Sequence, residues 1–158
     1  MRTNLQRMLL AVALIASASS AYADVITDWN EKAVAFVTGK MAPAAGQRIV
    51  TIMHVAMFDA VNSIEPRYRP YLTKLPAAAS TSKEAAAASA AGTVLASLNP
   101  QAAEEFRSAM ASYLATIPDS EAKAQGIKLG EAVAAKILEA RANTVPQVRD
   151  EVNRHGEK

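Results

Sequence analysis

The chain offers few side chains that could carry chemistry, and the most suggestive of them lie in one apolar segment. His54 is one of two histidines, and the other, His155, lies near the C-terminus. Metal binding or catalysis from a helix needs a partner side chain three or four residues away. Around His54 those positions hold valine, threonine, methionine and phenylalanine. We therefore predict that His54 is a buried histidine with a hydrogen-bond partner rather than a ligand or a catalytic base.

Asp59 and Asn62 lie three residues apart in the same apolar segment, which places them on one face of a helix. We predict that they cap or brace a neighbouring loop. The next loop contains Arg67-Tyr-Arg-Pro-Tyr71, in which cations alternate with aromatic rings. This pattern can bind phosphate or stacked bases. Because it is a single loop on a nearly neutral chain, we expect instead that its tyrosine rings anchor it to the helical core.

The remaining polar residues do not suggest a site. The chain has no cysteine, which excludes disulfides and thiolate metal sites. Most glutamates fall on polar helix faces, where we expect them to be solvated: Glu84, Glu104, Glu105, Glu121, Glu131 and Glu139. From the residues alone we assign no catalytic, cofactor-binding or metal-binding residue.

Five segments carry apolar residues at spacings of three and four, the pattern of amphipathic helices, and none alternates long enough for a strand. The composition agrees, since 35 of the 158 residues are alanine and only 5% are aromatic. We predict an all-α bundle of about five helices. The first begins at Asp24 or Thr27 and stops near Gly39. The second runs from Pro43 to Ile64 and is apolar around almost its whole circumference, so we expect it to be the central, most buried helix.

Three more helices follow a proline-containing loop. We expect Ser80 or Thr81 to cap the third, Asn99 to cap the fourth with Pro100 at its first position, and Ser120 to cap the fifth. Alanine contributes little apolar area, so the neighbours of the second helix are expected to leave four of its side chains partly uncovered: Met53, Met57, Phe58 and Val61. Such a face would favour self-association or a helical partner.

Residues 1–23 have the pattern of a cleavable signal peptide. Arg2 and Arg7 precede the apolar run Met8–Ala16, and Ala21-Tyr22-Ala23 has the small residues that signal peptidase requires. We predict cleavage after Ala23 and a secreted or periplasmic location.

The mature chain divides into a helical domain, residues 24–143, and a tail, residues 144–158, that has a proline and little apolar periodicity. Loss of two arginines with the signal peptide leaves 15 basic and 15 acidic residues. This neutral balance argues against nucleic acid as a partner. No window of eighteen residues is apolar enough for a stable membrane span.

Three phrases within residues 24–143 are distinctive in combination: His54–Ile64 (HVAMFDAVNSI), Tyr68–Tyr71 (YRPY) and Ala135–Asn143 (AKILEARAN). Together they resemble the N-terminal helical portion of secreted bacterial proteins related to vanadium-dependent haloperoxidases, in the type 2 phosphatidic acid phosphatase superfamily. The resemblance implies an all-α fold. In full-length relatives it implies acid phosphatase or vanadate-dependent haloperoxidase activity, with the phosphate or vanadate held between helices.

The catalytic motifs of that superfamily do not match this chain. In the pattern of lysine, six residues and Arg-Pro, Arg69-Pro70 supplies the end but Asn62 replaces the lysine. Pro-Ser-Gly-His is absent. In the last motif, Arg149 and His155 keep the family's spacing, but Val148 replaces the serine and no aspartate follows. The family reaction needs cations around the oxyanion, a nucleophilic or metal-ligating histidine and an acid histidine, so we expect no catalysis and no bound vanadate here.

The tail suggests where such a gene could have changed frame. Relatives often continue Arg-Ala-Asn with Asp-Gly-Ser, and deletion of one G from a plausible coding sequence converts Asn-Asp-Gly-Ser into the observed Asn143-Thr-Val-Pro146. A naturally short paralogue and an artificial chain end are the alternatives. Two functions therefore remain: a truncated, catalytically inactive superfamily member, or a small secreted helical binding or structural protein that packs against a partner.

Overall fold

The computed structural model describes residues 21–142, with side chains from residue 25 onward. These residues form five α-helices and no strand, which confirms the predicted all-α class. The helices are α1 (Ala21–Val37), α2 (Pro43–Ile64), α3 (Lys83–Leu98), α4 (Ala103–Ala115) and α5 (Glu121–Ala142), with a 3₁₀ turn at Pro100–Ala102. The predictions about residues 1–20 and about the tail from 144 lie outside the described residues. None of the described helices is both long and apolar enough to cross a membrane.

Helix boundaries follow local chemistry. α1 ends before Gly39, whose φ of 72° is left-handed and reverses the chain, and α2 starts with Pro43 at its first position. Both boundaries of α2 agree with the prediction. The predicted start of α1 is wrong, since the helix runs through Asp24 and Thr27 and neither caps it.

The caps of the later helices differ in part from the prediction. Ser82, rather than Ser80 or Thr81, caps α3 by accepting a hydrogen bond from the backbone N of residue 85 at 3.1 Å. Asn99 does not cap the N-terminus of α4. It is the C-cap residue of α3, to which its side-chain amide also donates, and Pro100 begins the 3₁₀ turn rather than α4. Ser120 does cap α5, through a 3.1 Å bond from the backbone N of residue 123.

The central helix is α3, which corrects the prediction that α2 would be the most buried. α3 contacts the other four helices, and every residue from Ala85 to Gly92 is buried. Alanine and glycine permit this position because they let neighbouring backbones approach closely. An added Cβ at Gly130 of α5 would lie 2.3 Å from the carbonyl oxygen of Ala86. Burial is therefore set by how closely the neighbouring helices approach, and the large apolar side chains of α2 do not make it the central helix.

α2 has two unlike faces as a consequence. One face packs into the bundle with buried residues that include Met53 and Met57, so the expectation that these two would stay partly exposed is wrong. The other face lies away from α3. Phe58 is exposed there and Val61 is half-buried, as predicted.

Candidate functional site

The outer face of α2 and the neighbouring side of α1 enclose a groove, which we call the α1–α2 groove. On α2 its residues recur at helical spacing from Gln47 through His54 and Phe58, and Glu65 follows directly after the helix. The part near the α1–α2 turn is a cavity of about 580 Å³ with an almost entirely apolar wall that includes Val34 and Val50. The groove therefore follows α2 over most of its length.

Two further cavities adjoin this one. The first, of about 750 Å³, occupies the other end of the groove, and His54 and Phe58 line both ends. The second, of about 340 Å³, lies across the ridge made by Thr51 and Val55 and is lined by Arg48 and Arg141. Apolar side chains thus form the floor of the groove, and the cations Arg48 and Arg141 lie beside it.

His54 lies at the middle of the groove floor. Its Nε2 donates a hydrogen bond to Oδ1 of Asn30 on α1, at 2.9 Å, and the ring is half-buried. Burial lowers the pKa of His54, because desolvation disfavours the imidazolium. The predicted hydrogen-bond partner is confirmed, but the ring is half-buried rather than buried. The described residues contain no group of three His, Asp or Glu side chains that could hold a metal ion.

Asp59 is fully buried, and its side chain binds backbone N–H groups of the loop between α2 and α3. One carboxylate oxygen accepts from the backbone N of Tyr71 at 2.7 Å, and the other accepts from those of Leu72 and Thr73, both at 2.9 Å. Three donors on one carboxylate satisfy a group that would otherwise be costly to bury.

Asn62 performs the same task one turn further along α2. Its Oδ1 accepts from the backbone N of Arg67 and of Tyr68, and its Nδ2 donates to the Tyr68 carbonyl at 2.8 Å. The prediction that Asp59 and Asn62 brace a loop is therefore confirmed. The expectation that tyrosine rings anchor the loop is met only in part: Tyr68 and Tyr71 are 69% and 61% exposed, but the Tyr71 hydroxyl accepts a 3.3 Å hydrogen bond from Arg141 of α5. Backbone N–H groups make most of the anchor, and both tyrosines border the groove.

The exposed large apolar side chains gather around the groove. Val34, Phe58 and Tyr71 line one end and Tyr68 lines the other, while Leu72 follows in the same loop. The rings of Phe58 and Tyr68 lie 6.2 Å apart, so they form one continuous surface. The described residues expose no other large apolar side chain. Sequence reasoning found the uncovered face of α2 but missed that the loop and α1 extend it.

Charged groups close the end of the groove near α3. Glu65 bridges Lys83 and Arg67, and its pKa is lowered chiefly by the hydrogen bond from Lys83 and then by that from Arg67.

The glutamates predicted to be solvated are exposed, with one exception. Glu84 is half-buried and accepts a 3.0 Å hydrogen bond from the Tyr113 hydroxyl, whereas the other five predicted as solvated are exposed.

No family model, no curated protein and no solved structure matches the chain. The resemblance to the phosphatase and haloperoxidase superfamily therefore rests on the residues that carry it. Of the positions compared with its catalytic motifs, Asn62 is bonded to the loop backbone and Arg69 is exposed. Arg149 and His155 lie outside the described residues.

Proposed function

We propose that this chain is a non-catalytic helical domain that packs against another helical protein through the α1–α2 groove. One observation carries the proposal: the large apolar side chains exposed in the described part of the chain surround this one groove. Clustered apolar surface of this kind marks an interaction site, because burying it releases free energy that scattered side chains do not.

We propose further that the domain descends from the phosphatase and haloperoxidase superfamily and has lost its chemistry. The three phrases that resemble the family support the descent. The replacement of the motif lysine by Asn62, and the absence of Pro-Ser-Gly-His, support the loss. His54 supports it as well, because its hydrogen bond goes to an asparagine and the groove floor beside it is apolar. The signal-peptide pattern supports export, and the mass of exported protein should place the N-terminus at Asp24.

Activity assays test the loss of chemistry. The purified protein should hydrolyse p-nitrophenyl phosphate no faster than buffer and should not oxidise bromide when vanadate and peroxide are added. Turnover that disappears on His54→Gln substitution would show that the domain is catalytic.

Dye binding and sedimentation test the docking role. A fluorescent hydrophobic dye should bind the folded protein, and Phe58→Lys should reduce the binding several-fold by placing a charge on the groove. Ala132→Lys is the matched control. Ala132 is exposed on α5 and lies on the opposite side of that helix from Arg141, which borders the groove. Circular dichroism confirms that both variants remain helical. A monomer at all concentrations that binds no dye would contradict the docking role and favour an independent helical protein.

A further inference from the structure

The charges around the α1–α2 groove are one-sided. Its three cavities are lined by four basic side chains and one carboxylate: Arg48, Arg67, Lys83 and Arg141, with Glu65. Glu65 already bridges two of these cations. The groove therefore presents an excess of positive charge to whatever lies in it.

The sequence around the groove has the same bias. Between residues 38 and 83 the acidic residues are Glu65 and Asp59, and Asp59 is buried beneath the loop with its oxygens bonded to backbone N–H groups. The same stretch contains six cations, of which Arg69 and Lys74 are exposed on the loop. By contrast, residues 84–140 hold seven carboxylates and four cations. α1, the other wall of the groove, adds Asp28, Glu31 and Lys32, so the positive charge is concentrated on α2 and on the loop that follows it.

The shape of the groove limits what can fill it. Its α2 wall from Gln47 to Glu65 is about 27 Å long at 1.5 Å per residue, the length of a helix of about 18 residues. The apolar floor around Val50 and His54 lies between α1 and α2, where a narrow ridge of side chains fits. A second copy presenting the same groove would bring like charges together, which opposes a symmetric dimer.

We propose that the occupant is an amphipathic helix of a partner protein, with an apolar stripe flanked by aspartate and glutamate. This proposal rests on the docking role proposed above and adds the chemistry of the partner. The apolar stripe covers Phe58, Val34 and the loop tyrosines. The flanking carboxylates meet Arg48 and Arg141 on one side, and Arg67 and Lys83 at the end. The apolar contact supplies affinity, while the charges select the partner and speed its association.

Two designed peptides test the charge preference. Both are helical, about 18 residues long, and share one leucine stripe; one carries glutamate on its flanks and the other lysine. By fluorescence anisotropy with the whole protein, the glutamate peptide should bind roughly tenfold more tightly, and raising the salt from about 50 mM to about 500 mM should remove most of that difference.

Variants localise the effect. Arg48→Gln, which removes a cation that lines the groove, should weaken the glutamate peptide several-fold and leave the lysine peptide unchanged or improved. Lys128→Gln is the matched control, since Lys128 is exposed on α5 and lines none of the three groove cavities. Phe58→Lys should weaken both peptides.

The outcomes separate this inference from the docking role on which it rests. Equal binding of the two peptides would overturn the acidic preference and leave an apolar docking groove. Binding of neither, with no dye bound, would overturn both. Vesicles containing phosphatidylglycerol that bind the protein when neither peptide does would identify a membrane surface instead. A dimer disrupted by Phe58→Lys would identify a second copy, and either result would overturn the helical partner.

Discussion

Replacing Asp59 tests whether one buried carboxylate holds the whole loop between α2 and α3. In the structure its two oxygens accept three backbone hydrogen bonds, from Tyr71, Leu72 and Thr73, at 2.7–2.9 Å. Asp59→Ala removes all three acceptors. Asp59→Asn keeps the shape of the side chain but replaces one oxygen with an N–H₂ group. This group is a donor and would face a backbone N–H, which is also a donor, so at least one hydrogen bond is lost.

The magnitude follows from the number and kind of bonds. A hydrogen bond to a charged group contributes about 1.5–3 kcal/mol net, so three at the lower end of that range total about 4.5 kcal/mol. The loop lies at the surface, so when it detaches water forms hydrogen bonds with the freed N–H groups and recovers part of this free energy. We therefore expect Asp59→Ala to cost about 3–4 kcal/mol and Asp59→Asn about 2 kcal/mol. Against a typical domain stability of about 5–15 kcal/mol, the alanine variant should unfold at visibly lower denaturant.

Two measurements check this reasoning. Urea unfolding followed by circular dichroism gives the free energy of unfolding, and amide hydrogen exchange reports on the backbone N–H groups of Tyr71, Leu72 and Thr73. Asp28→Asn is the matched control, because Asp28 makes no hydrogen bond to the described residues, and it should change stability by less than about 0.5 kcal/mol. If Asp59→Ala unfolds at the wild-type denaturant concentration, or if the three amides keep their protection, the carboxylate does not hold the loop.

Two other predictions concern packing and pH. Gly130→Ala should destabilise the protein by about 1–3 kcal/mol, because its Cβ would meet the Ala86 carbonyl and force two helices apart. At Gly92 the nearest atoms to an added Cβ are Cβ and Sδ of Met110, both at 2.8 Å, and none of the three nearest is a backbone atom, so Gly92→Ala should cost less. Equal melting temperatures for the two variants would contradict the close contact of α5 with the α3 backbone. Because burial lowers the pKa of His54 in the folded state, its contribution to stability is complete above its ordinary pKa near 6.5 and is lost as the pH falls below that value. Thermal melts between pH 7.5 and pH 5 should therefore show a smaller loss of stability for His54→Gln than for the wild type, and identical losses would contradict this origin.

Sequence patterns predicted the ends of helices well where a residue such as proline restricts its own backbone. Proline fixes a backbone angle and lacks a donor, so Pro43 and the proline-containing loop after Ile64 delimit α2 at both ends. At the start of α3 the sequence does not single out one cap, because Ser80, Thr81 and Ser82 are all able to cap a helix. The structure uses Ser82, while the Thr81 hydroxyl bonds to Gln125 instead.

Burial and anchoring depend on parts of the chain that a local pattern does not contain. α3 is central because small residues on two helices allow close approach, whereas its own sequence of alanines would also suit an exposed helix. Likewise the spacing of Asp59 and Asn62 predicted that they brace a loop, but not which atoms they hold. Their partners are backbone N–H groups, which every residue except proline has. The sequence therefore does not show whether the backbone or the tyrosine rings of the loop make the anchor.

The loop anchor and the groove are joined through α2. Phe58 and Asp59 are adjacent, and one residue of helix turns the side chain by about 100°, so one faces the groove while the other faces inward to the loop. The anchored loop in turn holds Tyr68 and Tyr71 at the groove edge. Asp59→Asn should therefore lower the affinity for the acidic helical peptide, although Asp59 does not line the groove. A variant that loses amide protection in the loop yet keeps wild-type affinity would show that α1 and α2 alone form the docking surface.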